Sequence, residues 1–366
     1  MRILILNWRE INDPLAGGAE KYLYEIGKRI AKMGHSVVFF GREYYPQIPK
    51  KDKINEIKIV RGGNKFTVYL WALWYLAKNR KKFDVVIDSE NGIPFFSPLV
   101  FNNVICVMHH VHLDVFDKEL SFPLNLVGKF LEGRLMPYIY KNKLFVSVSP
   151  STKKEIIERL KIKPEQIKIV YNGVDYEKLS TQSIISKFKD PTVIYFGRVK
   201  RYKRIDHVIR ALALTKRKIK NVKLIIAGKM DNNICNELKK LADELNVYVE
   251  WYSNVENSLK NELLSKSWIY VITSLKEGWG ISVIEANACG TPVVSYDVPG
   301  LRDSVRNSYN GILVRNGNIK ALSKVIICLL ENPKVRKKLS HNARKWAKRF
   351  SWERSMQYII QIISER

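Results

Sequence analysis

"SLKEGWGISVIEANACGTPVV", residues 274–294, decides the reading of the fold. It follows "WIYVIT" (268–273), a run of β-branched and aromatic residues that predicts a buried strand. Glu277 and Glu285 stand with seven residues between them, among Gly278, Gly280 and Gly290. "ISVIEANA" (281–288) predicts a helix and "TPVVSY" (291–296) the next strand. Strand, glycine loop, helix and strand is the repeating unit of a parallel α/β sheet. The glycines let the backbone approach a ligand closely. The helix start at Ile281 and Ser282 turns N–H groups and a positive dipole end toward an anion, which suits phosphate.

The same rhythm runs outward in both directions. "RILILNW" (2–8), "HSVVFFG" (35–41), "DVVIDS" (84–89), "VICVMH" (104–109) and "LFVSVS" (144–149) predict strands of the first half. "TVIYFG" (192–197), "KLIIAG" (223–228) and "VYVEWY" (247–252) predict strands of the second. Tyr22, Leu23, Ile26, Ile30 and Met33 recur at helical spacing after Gly17-Gly18, and Gly34 ends that helix. "STKKEIIERL" (151–160) predicts a helix capped by Ser151 or Thr152. This alternation predicts an α/β protein of two Rossmann-like, doubly wound parallel-sheet domains facing across a cleft. The expected domains are 1–184 and 185–351, with "TQSIISKFKDP" (181–191) as linker. Pro333 and Ser351-Trp352 divide the helical tail, whose last piece, about 352–366, is expected to pack back on the first domain.

Composition narrows the class. The chain has 366 residues, 46% of them hydrophobic and 27% charged, which suits two globular domains rather than a disordered chain. No segment reaches the roughly 18 apolar residues of a spanning helix. The short run "ILIL" near the start is neither signal peptide nor anchor, so a cytoplasmic protein is expected, at most peripheral on the inner face of the membrane. The four cysteines are dispersed and read as buried free thiols. A net charge of +28, heavier in the second half, favours anionic partners: nucleotides, phospholipid head groups or nucleic acid.

Chemistry is sought just after strands, where open α/β sheets bind ligands. A carboxylate accepts two hydrogen bonds at once, so Glu285 suits the paired hydroxyls of a ribose and Glu277 those of a second sugar ring. "FGRVKRYKR" (196–204) sets Arg198 at a strand end with Lys203 five residues on. Two fixed cations there suit a departing diphosphate, and a solvated basic run accounts for the same residues equally well. No Asp-x-Asp is present, so no diphosphate-bound metal is expected, and without G-x-G-x-x-G a nicotinamide cofactor is disfavoured. Gly17 and Gly18 suit either a phosphate contact or a tight strand–helix turn. "VMHHVH" (107–112) gathers His109, His110 and His112 at a strand end. The cluster matches no metal-ligand spacing, so a metal set is a weak reading beside a sugar hydroxyl contact or plain packing. "FTVYLWALWYLAKNRKK" (66–82) is apolar all round for three turns and then basic, which suits a buried helix or one docked on a membrane or lipid acceptor, with core or interdomain packing favoured.

With "GGAEKYLYEIGKRIAKMGHSVVFF", "VSVSPSTKKEI", "IVYNGVD", "IYFGRVKRYKRIDHVIRAL", "EGWGISVIEANACGTPVVSYDVPGLRDSV" and "NGILV", the chain resembles the group 1 (family 4) retaining nucleotide-sugar glycosyltransferases of GT-B fold. The resemblance implies a hexosyltransferase that needs no metal or other cofactor. Its partners would be a nucleotide-diphosphate sugar, a glycan or lipid-linked acceptor and an anionic membrane surface, without nucleic acid. The first domain would face the acceptor and the second the donor. Glu285 would bind the donor ribose. Glu277, with the backbone of Trp279 and Gly280, would orient the donor sugar. Arg198 and Lys203 would stabilise the diphosphate, and Gly17 and Gly18 would face it from the first domain. His109 aligns with the family's active-site histidine, with His110 as rival. Arg204 stands where the family often has glycine, Ser253 where glycine is common, and Trp279 where Phe or Tyr is usual. Two other readings share the sequence: a nucleotide-sugar epimerase of the same fold, and a non-catalytic basic protein that binds membrane or nucleic acid.

Overall fold

The computed structural model describes residues 1–180 and 186–365. The chain forms two compact units, Met1–Gly173 with Trp352–Arg366, and Val174–Ser351. The crossover at Gly173–Val174 falls ahead of the polar stretch 181–191, the first five residues of which lie outside the described residues.

The first unit holds an eight-stranded sheet. Its strands are β1 (Arg2–Leu6), β2 (Ser36–Gly41), β3 (Lys51–Ile54), β4 (Ile57–Arg61), β5 (Val85–Glu90), β6 (Val104–Met108), β7 (Leu144–Ser147) and β8 (Ile167–Ile169). They lie in the order β3-β4-β2-β1-β5-β6-β7-β8, parallel throughout except for the antiparallel pair β3–β4 at one edge. β1 and β6 are buried on both faces, which is why they read as unbroken apolar runs. The helix Gly18–Lys32 buries Tyr22, Leu23, Ile26 and Ile30, and the C-terminal helix Trp352–Ser364 packs beside it. Arg29 pairs there with Glu353 at 2.8 Å, and Ser355 Oγ donates to the Tyr171 carbonyl at 2.6 Å.

The second unit holds β9 (Thr192–Phe196), β10 (Lys223–Gly228), β11 (Val249–Ser253), β12 (Ile269–Ile272), β13 (Val293–Tyr296) and β14 (Gly311–Val314). All pair in parallel, in the order β11-β10-β9-β12-β13-β14. Counted from β9, this is the dinucleotide-fold order 3-2-1-4-5-6, whose direction reverses between β9 and β12. In the first unit the reversal falls between β1 and β5.

Three local expectations are corrected. The cap of the helix Pro150–Leu160 is Ser149, whose side chain accepts the Thr152 N–H at 3.1 Å; Pro150 at the next position fixes the entry. The helix Val68–Asn79 is not buried all round: Val68, Ala72 and Leu76 join the core of the first unit, whereas Leu70, Trp71 and Trp74 are exposed. Of the cysteines, Cys106, Cys235 and Cys289 are buried, but Cys328 is exposed.

Candidate active site

In the second unit the site is built where the strand order reverses. The segment after β9 and the loop after β12 are tied together through their backbones. Leu275 N–H donates to the Tyr202 carbonyl at 2.8 Å. The Thr273 hydroxyl lies 3.0 Å from the Lys203 carbonyl and 2.8 Å from that of Arg204. Arg204 answers with its guanidinium, donating to the carbonyls of Thr273 at 2.9 Å and Ser274 at 3.2 Å. Its backbone is left-handed, at φ 49°, the conformation for which glycine is the unstrained choice. The loop's other flank rests on Gly300, at φ 79°, where an added Cβ would lie 2.1 Å from the Glu277 carbonyl oxygen.

This frame holds five charged groups. Lys203 Nζ pairs with Glu277 Oε1, which also accepts the Ser274 hydroxyl at 2.7 Å. Burial opposes the charge on Lys203, but Glu277 and Tyr202 outweigh it, so its pKa lies above the ordinary lysine value. Arg198 is half-buried after β9 and contributes to the field at Lys203. Glu285, 5% exposed, accepts Lys260 Nζ at 2.9 Å. Gly280, at φ 86°, opens the helix Ile281–Ala288, and no described side chain caps that helix. Ile281 and Ser282 are half-buried at its first turn, where the Tyr270 hydroxyl donates to Ser282 Oγ at 2.8 Å. The Trp279 ring is buried edge-on against Phe350, with centroids 5.0 Å apart, so from this position only the backbone is offered to a ligand.

Lys260 was missed in the sequence because its partner is 25 residues away. A signal existed. Lys260 precedes Leu263 and Leu264 by three and four residues, which puts it on the buried face of the helix Asn257–Lys266. A lysine there needs an acid.

In the first unit, Gly17 precedes the helix Gly18–Lys32, and its N–H donates to buried Glu20 at 2.7 Å. That amide is therefore engaged within the chain, while Gly18 is exposed. His109 follows β6 and is 6% exposed, edge-on to Tyr22 with centroids 5.3 Å apart. Burial, with a smaller contribution from His112, pulls its pKa down to about 3, so the ring is neutral at physiological pH. Its Nε2 has no hydrogen-bond partner among the described residues. His110 is half-buried, its ring centroid 4.0 Å from that of His112. The structure brings His112 to two acids that the sequence kept distant, Glu90 and Glu132.

Two doubly wound sheets, each with polar groups gathered at strand ends, define a two-domain α/β enzyme of GT-B type. Residues 178–346 match the family described as glycosyl transferases group 1, and residues 16–178 match glycosyltransferase family 4. An uncharacterized glycosyltransferase of Methanocaldococcus jannaschii is 26% identical over 378 residues, spanning 94% of this chain and 93% of its own. The N,N'-diacetylbacillosaminyl-diphospho-undecaprenol α-1,3-N-acetylgalactosaminyltransferase of Campylobacter jejuni is 28% identical over 261 residues, 68% of this chain and 65% of its own. The fold is shared with Anabaena HepE, solved in complex with UDP and glucose, at TM-score 0.77 and 19% identity over all of both chains. The chain belongs to the group 1, family 4 glycosyltransferases, enzymes that take a sugar from a nucleotide sugar.

Proposed function

We propose that this chain transfers a hexose, with retention and without a metal, from a nucleoside-diphosphate sugar to a lipid-linked glycan at a membrane surface. One observation carries the donor side: two carboxylate–lysine pairs, Lys203–Glu277 and Lys260–Glu285, flank a helix start at the reversal of strand order. In this reading Glu285 takes the ribose hydroxyls, with Lys260 orienting it. Diphosphate oxygens meet the first-turn N–H groups of Ile281 and Ser282, with Arg198 and Lys203 beside them. Glu277, with the backbone of Trp279 and Gly280, takes sugar hydroxyls. The bond from the anomeric carbon to the phosphate oxygen breaks, and the bond to the acceptor oxygen forms on the same face. The acceptor proton passes to the leaving phosphate. His109, neutral at this pH, hydrogen-bonds a sugar hydroxyl and carries no proton in the step.

The acceptor class is supported by the Campylobacter relative, named for a diphospho-undecaprenol substrate. It is supported also by the helix Val68–Asn79, where exposed Leu70, Trp71 and Trp74 adjoin Lys78 and the basic turn Arg80–Lys82. An apolar face edged by lysine and arginine suits an anionic lipid surface. No described helix is long and apolar enough to cross a membrane.

Thermal stabilisation by UDP, GDP, ADP and CMP and their sugar conjugates, in chelator, tests the reading. A ligand at about 100 times its Kd adds roughly 2.7 kcal/mol. The expected result is one base that stabilises wild type and fails with Glu285→Ala. Stabilisation by none, with or without Mg²⁺, overturns the donor site.

A further inference from the structure

The buried cluster at Glu90, His112 and Glu132 lies outside the machinery described above. Glu90 ends β5 with its side chain fully buried; Oε1 accepts the Gly92 N–H at 2.9 Å, and Oε2 has no partner among the described residues. Glu132, also fully buried, accepts the His112 backbone N–H on Oε1 at 2.6 Å, and its Oε2 has no partner. His112 Nδ1 stands 3.5 Å from Glu132 Oε1 and 4.0 Å from Glu90 Oε2, and is likewise without a hydrogen-bond partner. One ligand atom from each of the three residues falls within 4.8 Å of the others. Glu132 sits on the single π-helical turn, Leu131–Leu135, inserted between the helices Leu124–Phe130 and Met136–Ile139. Such a turn shifts the side chains that follow relative to the helix before it, and is often found where a side chain has a special task.

We propose that Glu90, His112 and Glu132 bind one divalent transition-metal ion, Zn²⁺ by preference, as a structural site of the first unit. Among the described residues neither carboxylate has a lysine or arginine within ion-pair distance, and two buried carboxylates facing one imidazole are costly without a cation. One divalent ion neutralises both. Ligands at about 2.1 Å from a tetrahedral ion are separated by roughly 3.4 Å. The observed 3.5 and 4.0 Å therefore need only small shifts. An imidazole with two carboxylates suits zinc, whereas calcium and magnesium take all-oxygen sets with more ligands. Water supplies the fourth position. The ion joins the end of β5, the turn after β6 and the π turn, and so fixes the backbone that carries His109. It plays no part in holding the diphosphate, so metal-free transfer chemistry and a bound structural ion are compatible.

The test uses the full chain, purified without a histidine tag. After dialysis against a weak chelator and reloading with Zn²⁺, elemental analysis should give about one ion per chain. Co²⁺ in its place should give the intense visible absorption of a tetrahedral site. Glu90→Gln and His112→Asn should each lose the ion. Less than about 0.1 ion per wild-type chain, or undiminished binding in both variants, overturns the proposal. Should the variants fail to fold, the wild-type stoichiometry and Co²⁺ spectrum decide alone. Neither readout depends on a nucleotide sugar, so failure here leaves the donor reading untouched, and the converse holds.

Discussion

One cluster of buried acid in each unit is treated in opposite ways, although the first unit elsewhere pairs buried Glu10 with Arg61 and Asp13 with Arg42. In the second, each functional carboxylate meets a lysine: Glu277 with Lys203, Glu285 with Lys260. In the first, Glu90 and Glu132 accept backbone N–H groups but face no described cationic side chain within ion-pair distance other than the ring of His112, and three of the atoms involved have no described partner. Burial and the charge of Glu132 push the Glu90 carboxyl well above the ordinary carboxylate range. Charge in the second unit is thus balanced before any ligand arrives. A donor then meets oriented groups and need not reorganise them, the arrangement expected of electrostatic preorganisation. The Glu90–His112–Glu132 cluster is balanced only when something else is added, a proton or a cation. His109, buried nearby in the same unit, avoids the problem by staying neutral.

Breaking the balance in the second unit should have the largest effect. Glu285→Ala leaves Lys260 buried and uncompensated, so it should abolish transfer and cost about 3–5 kcal/mol in urea unfolding. The double variant Glu285→Leu with Lys260→Met removes both charges and should recover most of the stability while transfer stays absent. That split separates a ligand-binding acid from one that is only structural. Equal stability of the single and double variants would show that the pair is not coupled, and the comparison between the units would lose its basis.

In the first unit the test is pH. The unfolded state takes up a proton on His109 as pH falls through about 6.5, whereas the folded state does so only near 3. A depressed folded pKa contributes stability that is complete above the unfolded value and is lost as pH falls. Wild type should therefore lose stability relative to His109→Gln between about pH 6.5 and 3, at up to roughly 1.4 kcal/mol per unit. Parallel unfolding curves for the two proteins across that range would mean that the folded ring titrates like the unfolded one, and that His109 is available for proton transfer after all.

The halves also differ in how far their sequences foretold them. Strand–helix alternation is a local pattern, so β1, β2, β6, β9, β10, β12 and β13 were legible to within a residue or two. β3, β4 and β8 were not, because they are short and partly exposed, with lysines interrupting the apolar pattern. β14 was quoted within "NGILV" but not read as a strand. Glu277 and Glu285 were visible because one glycine loop and one helix hold both. Lys260, Glu90 and Glu132 were not, since they reach their partners only through the fold. The exposed face of Val68–Asn79 was misjudged because its aromatic content outweighed its spacing.

The smallest effect is expected at Arg204, where the chain departs from the family's glycine, and it measures how the loop is held. The residue combines a left-handed backbone, at φ 49°, with hydrogen bonds to Thr273, Ser274 and Asn316 and a guanidinium 4.9 Å from the Tyr296 ring centroid. Arg204→Ala keeps most of the backbone strain and loses the contacts, so it should cost about 1–3 kcal/mol. Arg204→Gly loses the same contacts and relieves the strain, which recovers about 1 kcal/mol of that loss. Donor affinity should follow the same order, wild type first, then glycine, then alanine, since the carbonyls of Thr273 and Ser274 set the course of the loop to Glu277. Equal affinities in all three would mean that the tie from Leu275 N–H to the Tyr202 carbonyl suffices. The arginine would then only fill a position that glycine occupies more economically.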